Sequence, residues 1–116
     1  MLQALGDPTR LRLLNLLRGG EICVCYFVEI LGEPQPKVSR HLAYLRRAGL
    51  VEVRREGKWM HYKLAQTLHR PVLDAILDDV ADDRQMQRDR SALERACCAL
   101  RLPGTLQYAP RPQMEP

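Results

Sequence analysis

The apolar residues of this chain change period once and then change back, which few folds accommodate. From Asp7 to Gly49 they recur at helical spacing; from Leu50 to Leu64 they alternate; from about Leu68 the helical spacing returns. Asp7-Pro8-Thr9 opens the first strong helix, with Asp7 as N-cap and Pro8 at a position whose missing N–H costs nothing. Leu11, Leu13, Leu14, Leu16 and Leu17 form its apolar stripe, and Gly19-Gly20 stops it. A second helix is expected from about Val24 to Leu31, closed by Gly32. After the turn Gly32-Glu33-Pro34 a third begins at Gln35-Pro36, carries Val38, Leu42, Leu45 and Ala48, and ends at Gly49. Leu50 to Arg55 and Trp59 to Leu64 then read as two strands around the turn Glu56-Gly57-Lys58.

Two helices across a tight turn, followed by a basic hairpin, are the plan of a winged helix-turn-helix, a mainly α fold with one β-hairpin. A long final helical segment holds Val72, Leu73, Ile76, Leu77 and Val80, is mostly polar from Asp82 to Arg90, and turns apolar again at Leu93, Cys97 and Leu100. Pro103-Gly104 ends it. The expected organisation is one DNA-binding and dimerisation domain over 1–102 and a disordered, proline-bearing tail over 103–116. The 116 residues suffice for one domain, and pairing of two copies would help so small a helical domain hide its apolar faces.

Charge is distributed more tellingly than its +4 total. Between Pro34 and Lys63, Lys37, Arg40, Arg46, Arg47, Arg54, Arg55, Lys58 and Lys63 face only Glu52 and Glu56, a local +6. Between Val72 and Arg95 seven acids oppose four arginines, a local −3. A basic middle with an acidic flank is built for a polyanion on one face. The early turns of the third helix present Gln35, Lys37, Ser39, Arg40 and His41, the end that enters the major groove in such motifs. Gln35, Ser39, Arg40 and His41 can reach base edges. Lys37, Arg54, Arg55 and Lys58 are expected to contact phosphates, and Trp59 and Tyr62 to pack the hairpin.

Four cysteines fall as Cys23, Cys25 and the adjacent Cys97-Cys98. The first pair stands at the entrance to the helix-turn-helix, so a ligand that captured both thiols would pull on the element that reads DNA. The opening residues Met1 to Pro8 show no basic and apolar export signal, and no apolar run approaches the roughly 18 residues of a membrane span. A cytoplasmic chain with reduced thiols in a metal or redox role is therefore expected, with no membrane partner.

Five stretches together resemble the ArsR/SmtB family of metal-responsive repressors, and specifically its arsenic-sensing branch. They are Ala4 to Leu14, Gly20-Glu-Ile-Cys-Val-Cys25, Gln35 to Leu45, Ala48-Gly-Leu-Val51 and Gly57-Lys-Trp-Met-His-Tyr62. The resemblance implies a homodimer joined through its terminal helices, a palindromic double-stranded operator, and release when the inducing ion binds. It implies As(III) or Sb(III) as inducer, held by Cys23 and Cys25. Three departures stand out: a short N-terminal arm, Val28 where the branch often has a third cysteine, and Cys97-Cys98 outside the matched region.

Trivalent arsenic and antimony favour three thiolates in a pyramid, in line with the soft-ligand logic of such ions. Residues two apart on a regular helix point roughly 200° from one another, so Cys23 and Cys25 can share an ion only where the backbone departs from a helix. Cys97 and Cys98 are candidates for the missing third thiolate, within or across subunits, and packing is the alternative for Cys97 on its apolar stripe. His69, Asp74 and Asp78 lack a histidine pair at helical spacing and are expected to be ordinary solvated groups. The rival functions are the same fold sensing Cd(II) or Pb(II), a thiol redox switch, and a thiol enzyme such as an arsenate reductase. The enzyme would need an anion-cradling loop after its cysteine, and the fifth residue beyond Cys23 is Val28. No catalytic residue or catalytic cofactor is expected.

Overall fold

The computed structural model describes residues 2–98, 106 and 109–114, the side chains of Leu2, Cys98 and Met114 excepted. Six helices and four short strands follow one another as α1 (Leu2–Leu5), α2 (Pro8–Leu17), β1 (Gly20–Cys23), α3 (Val24–Leu31), α4 (Gln35–Arg47), β2 (Val51–Glu56), β3 (Trp59–Leu64), α5 (Arg70–Val80), α6 (Arg84–Cys98) and β4 (Gln113–Met114). The caps work as their residues suggest. Asp7 Oδ1 accepts the Thr9 and Arg10 amides at 2.7 and 3.3 Å. Gly32 ends α3 with φ +66°, a left-handed conformation that disfavours any side chain. Burial opposes ionisation of Asp7, but the Arg10 and Thr9 amides and the nearby His41 and Arg10 charges hold its carboxyl below its ordinary value.

Leu13, Leu14, Leu16 and Leu17 of α2 are buried against Tyr26, Phe27 and Leu31 of α3 and Val38, Leu42 and Leu45 of α4. These three helices share one core. The hairpin pairs from Val51↔Leu64 to Glu56↔Trp59, so Glu56, expected in the turn, ends β2 and only Gly57-Lys58 make the turn; Trp59 and Tyr62 pack partly against the core. Arg10 fixes the short α1 by donating to the Ala4 and Gln3 carbonyls at 2.8 and 3.0 Å, and its guanidinium lies 4.2 Å from the Tyr44 ring centroid.

Three further features differ from the sequence-based expectation. Residues 20–23 form a strand that pairs antiparallel with β3 (Ile22↔Tyr62, Cys23↔His61), so the sheet is larger than a hairpin, with order β2-β3-β1-β4. The single long final helix is two: it breaks at Ala81–Asp83, where Asp83 Oδ1 accepts the Gln85 and Met86 amides at 2.9 and 3.3 Å and starts α6 afresh. Within the stretch expected to be a disordered tail, Leu106 and Ala109 are buried, and β4 pairs with β1 through Gly20↔Met114 and Glu21↔Gln113. No helix among the described residues is long and apolar enough to cross a membrane.

Helix α6 lies on α2 through a polar seat. Arg12 donates from Nε and one Nη to the two oxygens of Asp89 at 2.7 and 2.9 Å, Gln85 adds a third bond at 2.8 Å, and Asn15 donates to the Met86 carbonyl at 3.2 Å. The Asp89 side chain is 2% exposed and that of Arg12 20%.

Candidate thiol site and nucleic-acid interface

The two cysteines of the Cys-Val-Cys segment stand on different elements. Cys23 is the last residue of β1 and the N-cap of α3, with extended backbone (φ −71°, ψ 142°), while Cys25 lies in the first helical turn. The roughly 200° that would separate them on one regular helix therefore does not apply. The strand-to-helix corner turns both side chains inward, and their sulfurs are 3.1 Å apart without a disulfide. Cys23 is buried and Cys25 half-buried.

Their protons are shared unequally. The Cys25 thiol, hydrogen-bonded to Cys23, stabilises a Cys23 thiolate; burial opposes this, and the backbone amides of Cys25, Met60 and Val24 add to the lowering, to about 7. Cys25 moves up, held protonated chiefly by the bond to Cys23 and further by burial. This acidic thiol sits where the start of a helix concentrates free amides. Among the described residues no three histidine, cysteine or acidic side chains are already arranged to hold a metal ion.

Cys97, half-buried in the last turn of α6, packs against the core that contains Cys23 and Tyr26. Cys98, its expected companion, has its side chain outside the described residues. Asp74 and Asp78 pair with Arg18 at the end of α2, and Asp74 also pairs within α5 with Arg70 at 3.2 Å, so both serve as ion-pair partners.

Of the expected DNA-facing residues, Gln35 and Arg40 are exposed on α4, while Lys37, Ser39 and His41 are half-buried. Lys37 pairs with Glu33 at 3.2 Å. Arg55 and Lys58 are exposed on the wing, Arg55 bonded to the Gly57 carbonyl at 3.0 Å and Lys58 4.9 Å from the Trp59 ring centroid. Arg54 is otherwise engaged: it grips Glu21 at 2.6 and 3.3 Å and Glu56 at 3.1 Å. These acids raise its pKa, Glu21 most, and the hydrogen bonds it donates, helped by its charge, hold the Glu21 carboxyl below its usual range against the opposing effect of burial.

The buried His61 lies between the same acids, Nδ1 3.9 Å from Glu21 and Nε2 3.7 Å from Glu56. Reasoning from sequence missed Glu21 and His61 as connectors, because β1 does not declare itself as a strand. Its only signal is the alternation of Glu21, Ile22 and Cys23, three residues long.

The profile of the bacterial regulatory protein arsR family matches residues 7–53. The chain is 43% identical over 95 residues to the arsenic resistance transcriptional regulator ArsR1 of Pseudomonas putida, covering 81% of this chain and 73% of that protein. It is 45% identical over 82 residues to the arsenical resistance operon repressor of Escherichia coli K12, covering 70% and 68%. In structure it is similar to the homodimeric winged helix-turn-helix DNA-binding domain Mb0332 of Mycobacterium bovis, with a TM-score of 0.60, 34% identity, and 71% and 75% of the two chains covered.

Proposed function

The chain belongs to the arsR family of bacterial regulatory proteins, and from that premise we propose that it is a cytoplasmic homodimeric repressor that releases operator DNA when Cys23 and Cys25 capture As(III) or Sb(III). The observation that carries the choice of ligand is the 3.1 Å approach of two unoxidised sulfurs at a strand-to-helix corner. A soft trivalent centre takes such a pair as thiolates, and the names of the two arsenic-resistance relatives favour the same ion. Leu68, 96% exposed just before α5, and Val72, 48% exposed within it, support a second copy as the cover for this face.

Capture reaches DNA by two short routes. Cys25 rides on α3, whose far end leads through Gly32 and Pro34 into α4, so a shift of α3 re-aims Gln35, Arg40 and His41. Cys23 rides on β1 with Glu21, and Glu21 holds Arg54 of the wing. Re-spacing the sulfurs around an ion displaces β1 against β3 and disturbs that grip.

The test uses an operator fragment selected from random-sequence DNA. Its binding is titrated with As(III), Sb(III), Cd(II) and Zn(II) under reducing conditions, for wild type and for Cys23→Ser and Cys25→Ser. Release by As(III) or Sb(III), abolished in both variants with operator affinity intact, supports the reading. Release by Cd(II) alone overturns the choice of ion. The same sulfur approach favours one second reading, an oxidative switch; operator release by hydroperoxide with no response to arsenite would establish it.

A further inference from the structure

Tyr26 holds a feature that the two-cysteine site leaves unused. Its side chain is fully buried, and among the described residues its hydroxyl has no hydrogen-bond partner. A buried hydroxyl left without a partner is costly and calls for an explanation. Cys23 belongs to the same buried cluster as Tyr26, and Cys25 and Cys97 both pack against that cluster.

The third sulfur is held there by the fold. Arg111 donates to the Ala96 and Cys97 carbonyls at 2.8 and 3.4 Å, tying down the last turn of α6. Just beyond Arg111, β4 pairs with β1, the strand that ends in Cys23. The end of α6, the Arg111 clamp and the Cys23–Cys25 corner thus enclose Tyr26 within one chain. Helix α3 offers no other sulfur, since Tyr26 to Leu31 contain none.

We propose that this enclosure is the third-ligand pocket of the metalloid site: Cys97 of the same chain completes the coordination begun by Cys23 and Cys25, and the Tyr26 hydroxyl donates a hydrogen bond to a bound sulfur. The inference rests on the arsenical reading above. Since the described residues hold no ready three-ligand cluster, the last turn of α6 moves toward α3 as the ion is taken up. With arsenous acid the balance is simple. Three As–O bonds break, three As–S bonds form, each thiol proton leaves with a hydroxide as water, and arsenic stays trivalent.

The experiment counts sulfur neighbours of arsenic by X-ray absorption on the full-length dimer loaded with arsenite. Three are expected in wild type and in Cys98→Ser, and two sulfurs with one oxygen in Cys97→Ser. A heterodimer of one Cys23→Ser/Cys25→Ser chain and one Cys97→Ser chain should show two; three would place Cys97 across the interface and overturn the same-chain assignment. Three sulfurs in Cys97→Ser, or the loss of one in Cys98→Ser, also overturns it. In unmutated protein, arsenite should shield Cys23, Cys25 and Cys97 from alkylation and leave Cys98 reactive, a readout that does not depend on any variant folding. Tyr26→Phe should weaken arsenite binding several-fold without altering the sulfur count or operator affinity, and unchanged binding would remove Tyr26 from the site. If Cys23→Ser/Cys25→Ser binds arsenite as wild type does, the two-cysteine reading itself fails, a result distinct from any of these.

Discussion

Replacing Asp89 by alanine removes the anion on which α6 is seated. The carboxylate is 2% exposed and accepts three hydrogen bonds, two of them from the Arg12 guanidinium. Deleting one partner of a fully buried ion pair costs about 3–5 kcal/mol, because the other charge is stranded. Arg12, at 20% exposure, can turn partly to water, so the upper part of that range does not apply. We expect about 2–3 kcal/mol for Asp89→Ala, and less for Asp89→Asn, which keeps the volume and one acceptor oxygen. Urea unfolding of the dimer at fixed protein concentration reads this as a lower midpoint with an unchanged slope. Arg12→Ala/Asp89→Ala should cost clearly less than the sum of the single changes, since the double variant leaves no unpaired charge behind. A loss below about 0.5 kcal/mol for Asp89→Ala, within the range of ordinary surface changes, would show that the pair does not secure α6. Because α6 carries Cys97, Asp89→Ala should also blunt the arsenite response at temperatures where the protein remains folded.

Arg40→Ala and His41→Ala should each weaken operator binding by roughly 1–3 kcal/mol, the worth of a good base contact, measured by fluorescence anisotropy; unchanged affinity in both would mean that α4 reads DNA with another face. Neutralising Arg55 and Lys58 should flatten the log–log salt dependence by about 0.9 for each phosphate left without its cation, whereas Arg54→Met should change it less, since Glu21 and Glu56 already engage that charge. Glu21→Gln should free Arg54 and steepen the slope, and a slope equal to wild type would separate the pair from DNA binding. Alkylation of Cys23 should rise as pH passes about 7. The linkage follows from the signs: the folded Cys23 gives up its proton at a lower pH than the unfolded thiol, so stability climbs between about 7 and the unfolded value near 9.0. Cys25 moves the other way, so stability falls above that. Flat stability across this window would contradict the unequal sharing of the two protons.

The elements legible in the sequence are those whose signals are local. Asp7 with Pro8, Gly32, and Pro36 with Gly49 mark helix ends by backbone chemistry, and those ends fall close to where the structure has them. Much of what escaped depends on partners distant in the chain. β1 is four residues long, and its bonds come from β3 and β4, both far along the sequence. The break before α6 is made by Asp83 capping forward, in a run of acids that reads equally well as an exposed helix face. The Cys23–Cys25 geometry was hidden for the same reason. Helical spacing separates the two sulfurs, whereas a strand ending on the first and a helix starting from it bring them together. The positions proposed to meet DNA were legible as charge, but the pairing of Arg54 with Glu21 was not, since it spans two strands that are not neighbours in the sheet.

The pairing of Cys23 with His61 is made by main chain, and main-chain bonds are indifferent to which side chains they carry. On the proposed mechanism, ligand choice and signal transmission are therefore separable: substitutions at 23 and 25 would exchange thiols for other donors while the strand still handed its displacement to the wing. A lineage built on that plan would change the ion it answers to by drifting at a few corner positions, without rebuilding the connection to DNA.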